Sequence, residues 1–186
     1  SFNNMKGNLV MTPENAQAFE RSMDMLDSSI KEMRRVAHNM MPETLVKYGL
    51  DTALKDFCQD MNLAGSVKVI YQSVGIENAI IDQTTSITIY RIVQELVNNI
   101  LKHAKPKHIK IFIIIVNHQL TLLLKHDGEG IDNERYETLK EESKGLGLKS
   151  LESRLQNLSG TLLFEKNSPS QYTITCKIEL KDGKNY

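Results

Sequence analysis

Four polar side chains that could bind a phosphorylated ligand lie at helical spacing in residues 91–104. Glu95 and Asn99 are four residues apart, and Lys102 and His103 follow on the next turn, so on a helix they share one face. An amide oxygen suits a hydrated Mg²⁺ bound to a polyphosphate, because Mg²⁺ keeps several waters and takes few protein ligands. The glutamate could act as a base through a coordinated water. By itself the pattern also fits an ordinary amphipathic helix with a solvated polar face.

Two glycine-containing segments downstream favour the phosphate-binding interpretation. His126-Asp127-Gly128-Glu129-Gly130 follows a strand-like run at 120–125, and Gly145-Leu146-Gly147-Leu148 opens a helix with apolar periodicity. Glycine allows tight turns and close approach of the backbone to a ligand. A helix N-terminus presents unpaired N–H groups to anions. The polar helix and the two glycine segments, in this order, indicate a site for a nucleotide.

The ordered motifs resemble the ATP-binding region of sensor histidine kinases, which belong to the GHKL ATPase superfamily. The resemblance covers roughly residues 36–180 and is greatest to the branch with nitrate-sensor-type dimerisation helices. It implies an α+β fold: a two-layer sandwich of the GHKL (Bergerat) type, with a mixed sheet covered on one face by helices, after a long dimerisation helix. Glu95, Asn99, Lys102 and His103 match the asparagine box, Gly128 and Gly130 the first glycine box, and residues 145–148 the second.

The resemblance also implies roles for these residues. Glu95 would be the catalytic residue, which assists attack by a histidine on the γ-phosphate of ATP, and Asn99 would hold Mg²⁺. The phosphate would pass to a histidine of the dimerisation domain and then to the receiver domain of a response regulator. The remaining nucleotide contacts would come from Lys102, His103, His126, Asp127, Gly128, Gly130, Gly145, Leu146, Gly147 and Leu148.

The first glycine box departs from the family at its leading position. The family has an aspartate there, which accepts a hydrogen bond from the adenine amino group, whereas this chain has His126, with Asp127 at the variable position. If His126 faces the adenine, an aspartate there would tighten ATP binding about ten- to a hundred-fold. Alternatively the register is shifted and Asp127 already serves. A further alternative is a non-catalytic GHKL module that dimerises and signals by conformation.

The N-terminal quarter has the pattern of a dimerisation helix. Thr12-Pro13-Glu14 is a typical helix start, and Pro42 ends the helix. Between them, apolar residues alternate at spacings of four and three, which is a heptad seam that requires a partner helix. We expect a homodimer through residues 13–41, although a partner helix in the same chain would also bury the seam. The predicted domains are therefore 1–43 and 44–186. The seam consists of Phe19, Met23, Leu26, Ile30, Met33, Ala37 and Met40.

His38 is the one histidine in this helix, and the phosphate acceptor is expected elsewhere. In the family the acceptor lies on the first dimerisation helix, and an acidic residue follows it. His38 is followed by Asn39 and lies shortly before Pro42, which resembles the end of the second helix. We therefore expect the acceptor upstream of Ser1, and we treat the chain as a fragment that does not phosphorylate itself.

Composition argues against several other classes of protein. Lys+Arg and Asp+Glu both total 23, so no basic field indicates nucleic-acid binding. Two cysteines in apolar segments indicate reduced core thiols, and the apolar run at 111–116 is too short to span a membrane. The resemblance implies the cytoplasmic domain of a membrane-anchored bacterial sensor kinase. The pattern predicts helices at 51–62, 84–104 and 147–159, strands at 67–73, 108–117, 119–125, 161–166 and 171–180, and a mobile lid at 132–144.

Overall fold

The computed structural model describes residues 12–39, 42–141 and 146–181, without the side chains of residues 31, 32, 34–39, 140 and 146. The chain divides into two compact units, Ser1–Pro42 and Glu43–Tyr186. In the first unit a single described helix, α1, runs over Pro13–Asn39. Thr12 accepts a hydrogen bond from the Asn15 amide at 3.3 Å, so the predicted hydroxyl cap is present.

The second unit is an α+β sandwich, as predicted. Its five strands form one mixed sheet in the order β1-β2-β3-β5-β4, in which β1 and β2 are parallel and the other pairs are antiparallel. A short 3₁₀ helix, Ile76–Asn78, follows β1. The elements are α2 Glu43–Leu63, β1 Lys68–Val74, α3 Gln83–Ala104, β2 His108–Val116, β3 Gln119–His126, α4 Asn133–Glu141, α5 Leu146–Asn157, β4 Thr161–Ser168 and β5 Gln171–Glu179.

The core lies on one face of this sheet, between the strands and the helices. Alternate residues of β2 and β3, including Ile111 and Leu122, are fully buried, whereas Phe112 and Leu123 on the opposite face are only half-buried. Ile92 and Leu96 of α3 belong to the same buried cluster. Because strand side chains alternate between faces, this pattern confirms that helices cover one face of the sheet.

The helix α3, which carries the predicted polar residues, has clear start and stop signals. Asp82 caps it by accepting a hydrogen bond from the Thr85 amide at 3.3 Å, and Lys105 at its C-terminal end adopts a left-handed conformation (φ 47°). Pro106 then prevents continuation. The predicted tight turn between β2 and β3 is also confirmed, since both Asn117 and His118 have positive φ, as a type I′ hairpin turn requires.

Two predicted elements were wrong in part. Residues 133–141 of the expected mobile lid form a helix, α4, because Asp132 caps the Arg135 amide at 2.9 Å and Tyr136 packs against Phe164 with ring centroids 4.4 Å apart. Residues 142–145 lie outside the described part of the chain. The helix predicted at 51–62 is the second half of α2, which begins at Glu43 and breaks at Gly49 (φ 84°).

The side chain of Asn62, near the end of α2, forms hydrogen bonds with the backbone of the edge strand β1. Its side chain donates to the Val69 carbonyl at 2.8 Å and accepts from the Val69 amide at 2.7 Å. We expect Asn62→Ala to lower the free energy of unfolding by about 1–3 kcal/mol, because the backbone carbonyl and amide of the buried Val69 both lose their hydrogen-bond partner. Urea denaturation measures this, with Gln59→Ala, an exposed amide on the same helix, as the matched control. Equal stability of the two variants would contradict the assigned role.

Candidate functional site

A cavity of about 770 Å³ lies within the second unit. Helix α3 forms one wall, the loop after β3 together with α4 and the first turn of α5 forms another, and strand residues form the floor. Its lining residues are Glu95, Leu96, Asn98, Asn99, Ile100, Lys102, His103, Ala104, His126, Glu129, Gly130, Ile131, Arg135, Leu139, Gly147, Leu148, Phe164 and Ile174. Most residues predicted to contact a nucleotide therefore meet in one place.

The polar face of α3 is directed towards the cavity, and its residues lie together as their spacing predicted. Glu95, Asn99, Lys102 and His103 all line the cavity. The amide nitrogen of Asn99 is buried, and no hydrogen-bond partner for it is found among the described residues. A buried amide without a partner is costly, so this group is suited to contact a bound ligand.

Gly147, in the first turn of α5, packs directly against this polar face. A β-carbon at position 147 would collide with the Glu95 carboxylate and would lie 3.5 Å from Oδ1 of Asn99. A side chain at this position would displace the Glu95 carboxylate from its place beside α5. Leu148 lines the cavity. Of the other residues predicted here, Gly145 lies outside the described residues, and the side chain of Leu146 is not described.

Gly128 contributes to the site by close packing and is not among the lining residues. Its φ of 85° is left-handed, and a β-carbon there would collide with the Ala104 carbonyl at the end of α3. The next amide, of Glu129, donates to the same carbonyl at 3.0 Å. The first glycine segment therefore joins the loop after β3 to the end of α3. Gly130 does line the cavity, and its α-carbon faces the ring of Tyr172.

His126 is buried in the cavity floor, with only 4% of its surface exposed. Its Nδ1 lies 2.8 Å from the Asp127 carbonyl oxygen, and because a carbonyl can only accept, Nδ1 carries the proton. Burial lowers the pKa of His126, while the Asp127 carbonyl and charge oppose that shift. The imidazole is thus neutral at pH 7, with Nε2 as its unprotonated nitrogen. Its ring stacks on Tyr172, with centroids 5.5 Å apart and planes 12° apart.

The carboxylate of Asp127 does not face the cavity, contrary to its predicted nucleotide contact. One oxygen accepts from the backbone amides of Lys107 and His108 at 2.7 and 2.9 Å, and the other accepts from Nδ1 of His108 at 2.8 Å. Desolvation alone would raise its pKa, but the hydrogen bonds from His108 and from the two amides lower it to about 2. The shifted register, in which Asp127 would contact the base, is therefore disfavoured.

Several lining residues were not predicted from the sequence. Arg135 and Leu139 belong to α4, which was expected to be a mobile lid, and Phe164 and Ile174 come from β4 and β5. The cap signal of Asp132 together with Tyr136 and Leu139 at helical spacing could have revealed α4. Tyr172 could have been found from the pairing of β3 with β5, in which His126 and Tyr172 are directly opposite.

Comparison with known proteins identifies this architecture. Residues 84–182 match the family described as histidine kinase-, DNA gyrase B- and HSP90-like ATPases. The match covers more than half of the 186 residues and contains every residue of the cavity wall. The chain belongs to this ATPase family.

Two proteins similar to this chain are sensor histidine kinases. It is 26% identical over 159 residues to the sensor histidine kinase ComP of Bacillus subtilis, covering 84% of this chain and 20% of ComP. It is 25% identical over 152 residues to the sensor histidine kinase MctS of Rhizobium johnstonii, covering 82% of this chain and 32% of MctS. The chain thus spans a fifth to a third of the length of these relatives.

Solved structures confirm the predicted fold of the ATPase domain. The blue-light activated histidine kinase of Erythrobacter litoralis superposes with a TM-score of 0.59 at 20% identity, covering 73% of this chain and 43% of that one. The two-layer GHKL fold is therefore shown, and the comparisons give no support to the non-catalytic alternative. None of the described helices of this chain is both long and apolar enough to cross a membrane.

The network around Asp127 predicts a pH-dependent contribution to stability. Its pKa lies below the ordinary value of 3.8, so its stabilisation is present above that value and is lost as the pH falls towards 2. We expect Asp127→Ala to lower the free energy of unfolding at pH 7 by about 1–3 kcal/mol, with a smaller difference at acid pH. Urea denaturation between pH 7 and pH 3 measures this, with the exposed Asp56→Ala as control. A difference independent of pH would contradict the assignment.

Proposed function

We propose that this ATPase domain is the catalytic domain of a sensor histidine kinase, which binds ATP with Mg²⁺ and directs the γ-phosphate to a histidine of a dimerisation domain. The observation that carries the proposal is the seating of Gly147 against Glu95 and Asn99. It brings the start of α5, where the first amides of a helix have no partners within the helix, to the face of α3 that holds the Asn99 amide nitrogen, for which no partner is found among the described residues. A polyphosphate bound in the cavity beside this contact would meet both groups.

The polar lining residues of α3 and the backbone of Gly147 have assigned chemical roles in this proposal. The oxygen of Asn99 would hold Mg²⁺. No group of three His, Cys, Asp or Glu side chains in the described ranges could hold a metal ion by itself, so phosphate oxygens and water would complete its shell. Lys102 and His103 would steady the phosphates, together with the backbone of Gly147. Bound MgATP would supply the electrophilic γ-phosphorus. These groups would stabilise the negative charge on the phosphate oxygens, and such electrostatic stabilisation is the main source of catalysis in phosphoryl transfer.

Glu95 is proposed as the residue that acts on the incoming histidine. Its carboxylate lines the cavity beside Asn99 and could accept the imidazole N–H of the acceptor, which orients the attacking nitrogen and raises its nucleophilicity. This interaction forms only as the histidine attacks. Substitution of Glu95 should therefore affect the rate of transfer more than the affinity for nucleotide.

Two substitutions on α3 separate these roles. We expect Asn99→Ala to weaken Mg²⁺-dependent ATP binding about ten- to a hundred-fold, through loss of a contact with a charged ligand. Glu95→Gln should bind ATP nearly normally but slow transfer in a longer chain that includes the acceptor histidine. Calorimetric titration measures binding, and radiolabelled ATP measures transfer.

The control for these variants is Asn78→Ala, an exposed amide in the short 3₁₀ helix that is not among the cavity-lining residues. It should leave both measurements unchanged. Equal loss of ATP binding in Glu95→Gln and Asn99→Ala would mean that Glu95 is structural. Absence of ATP binding by the unsubstituted chain would contradict the proposed function itself.

The partners follow from this proposal. We propose that the receiver domain of a response regulator takes the phosphate from the acceptor histidine, and that the domain lies in the cytoplasm, with any membrane anchor supplied upstream. We also propose a homodimer through residues 13–41. In support of the dimer, Leu26 and Ile30 of the seam are 48% and 41% exposed on α1. Apolar side chains repeated every three or four residues form the contact surface of helical bundles.

The seam can be tested with a matched charge control. Leu26→Lys combined with Ile30→Lys should convert a dimer to monomers, because each buried apolar side chain contributes about 1.5–3 kcal/mol, so that the dissociation constant rises at least a hundred-fold. Met25→Lys, one residue off the seam and 71% exposed, should leave the dimer intact. Analytical ultracentrifugation measures the mass. Equal masses for all three proteins would contradict the predicted seam.

A further inference from the structure

The floor of the cavity differs chemically from its walls. The described strands contribute His126, Phe164 and Ile174 to the lining, and only His126 among these three is polar. The charged lining residues come from helices and from the loop after β3: Glu95, Lys102, Glu129 and Arg135. A nucleobase has apolar faces and a polar edge. The uncharged floor therefore suits the base, while Lys102 and Arg135 on the walls carry the positive charge that attracts phosphates. His126 is the polar side chain of the floor that can meet the edge of the base.

One hydrogen bond fixes the tautomer of His126. The Asp127 carbonyl accepts from Nδ1 at 2.8 Å, so Nε2 is the nitrogen with a free lone pair. No hydrogen bond to Nε2 is found within the described ranges, and Nε2 is not among the buried atoms that lack a partner. Because the ring lines the cavity, this nitrogen is available to a ligand as an acceptor.

Tyr172 holds the imidazole ring in this orientation. The two rings are nearly parallel, 12° apart, with centroids 5.5 Å apart, which is within the range of favourable offset stacking. On another side, the α-carbon of Gly130 lies so close to the Tyr172 ring that a β-carbon would collide with it. Lys166 lies 5.9 Å from the centroid of the same ring. Tyr172 is only 7% exposed and is thus confined by its neighbours.

We infer that His126 reads the edge of the nucleobase through Nε2, as an uncharged acceptor that selects a purine with an amino group over one with an oxo group, and that Tyr172 is its positioning residue. The inference rests on the proposed function and adds the basis of its nucleotide selectivity. An adenine amino group can donate to Nε2. The oxo group of hypoxanthine would instead place one acceptor against another.

The inferred recognition reverses with pH. When His126 is protonated, Nε2 becomes a donor, which matches the oxo group and repels the amino donor. Burial lowers the pKa of His126 below its ordinary 6.5, so the neutral form reads the base at pH 7 and the change occurs on the acid side. Other titratable or charged groups line the cavity or lie beside His126 and Tyr172, but their effects are shared by nucleotides that differ only in the base. The lining groups are Glu95, Lys102, His103, Glu129 and Arg135, and the neighbouring groups are Asp127, Lys166 and Tyr172.

The test is the ratio of affinities for ATP and inosine triphosphate, measured by calorimetric titration of the full chain with Mg²⁺ between pH 5 and pH 8. Titration of the phosphates affects both ligands alike and cancels in the ratio. We expect ATP to bind about ten-fold more tightly at pH 8, and we expect the preference to shrink as the pH falls and His126 takes up a proton. His126→Phe, which keeps a ring for stacking on Tyr172, should abolish both the preference and its pH dependence.

Two further variants test the positioning role, and one serves as control. Tyr172→Leu should reduce the preference for ATP, whereas Tyr172→Phe, which keeps the ring, should preserve it. His118→Asn, in the β2–β3 turn where asparagine tolerates the positive φ, should leave the ratio and its pH dependence unchanged. A Tyr172→Leu variant with the full preference would overturn the role of Tyr172.

The outcomes separate this inference from the proposed function. ATP and inosine triphosphate bound equally at every pH would overturn the inference while the proposed function stands, and this result needs no substituted protein. A preference for ATP that persists unchanged in His126→Phe would also overturn it. Binding of neither nucleotide would overturn the proposed function and the inference together.

Discussion

The site depends on one junction, where the loop after β3 meets the C-terminal end of α3. Gly128 takes a left-handed conformation with its α-carbon against the Ala104 carbonyl, and the Glu129 amide donates to that carbonyl at 3.0 Å. The last carbonyls of a helix have no partner within the helix, so the loop satisfies one of them as it passes. A side chain at position 128 would separate the loop from α3. The polar face of α3 and the floor at His126 would then no longer line one cavity.

Asp127 extends this junction to a third element. Its carboxylate holds the amides of Lys107 and His108, which are the last residue before β2 and the first residue of that strand. The end of β3, the end of α3 and the start of β2 are therefore joined by consecutive residues of one loop. Because backbone groups make most of these contacts, the junction constrains the identity of residues 127 and 128 closely. The side chain of His126 takes no part in these contacts and lines the cavity.

Local patterns in the sequence predicted the elements, while the roles of individual loop residues required the tertiary structure. The periodicity of α3, its Pro106 stop and the Asn117-His118 turn were readable because each signal lies within the element it specifies. The partners of Asp127 are about twenty residues away, at Lys107 and His108, so no local pattern shows them. The tautomer of His126 follows from a contact with the carbonyl of the next residue, which depends on the backbone conformation of the loop and not on the residue types. The helix α4 was missed for another reason, since its many charged residues obscured a cap and two apolar anchors.

The charged residues of the cavity walls and the uncharged residues of its floor lie on different elements, so substitutions can change one set without the other. In the proposed function, phosphate affinity comes from groups on α3 and α5, and the junction at Gly128 places α3 beside the loop after β3. In our inference, selectivity for the base comes from one strand residue, His126, and from the tyrosine directly opposite it on β5. A neutral acceptor contributes less to affinity than a carboxylate, because charge-assisted hydrogen bonds are roughly twice as strong as neutral ones. In our inference, a histidine at this position in place of the family's aspartate therefore changes the strength and the pH dependence of base recognition. The geometry proposed for phosphoryl transfer is unchanged.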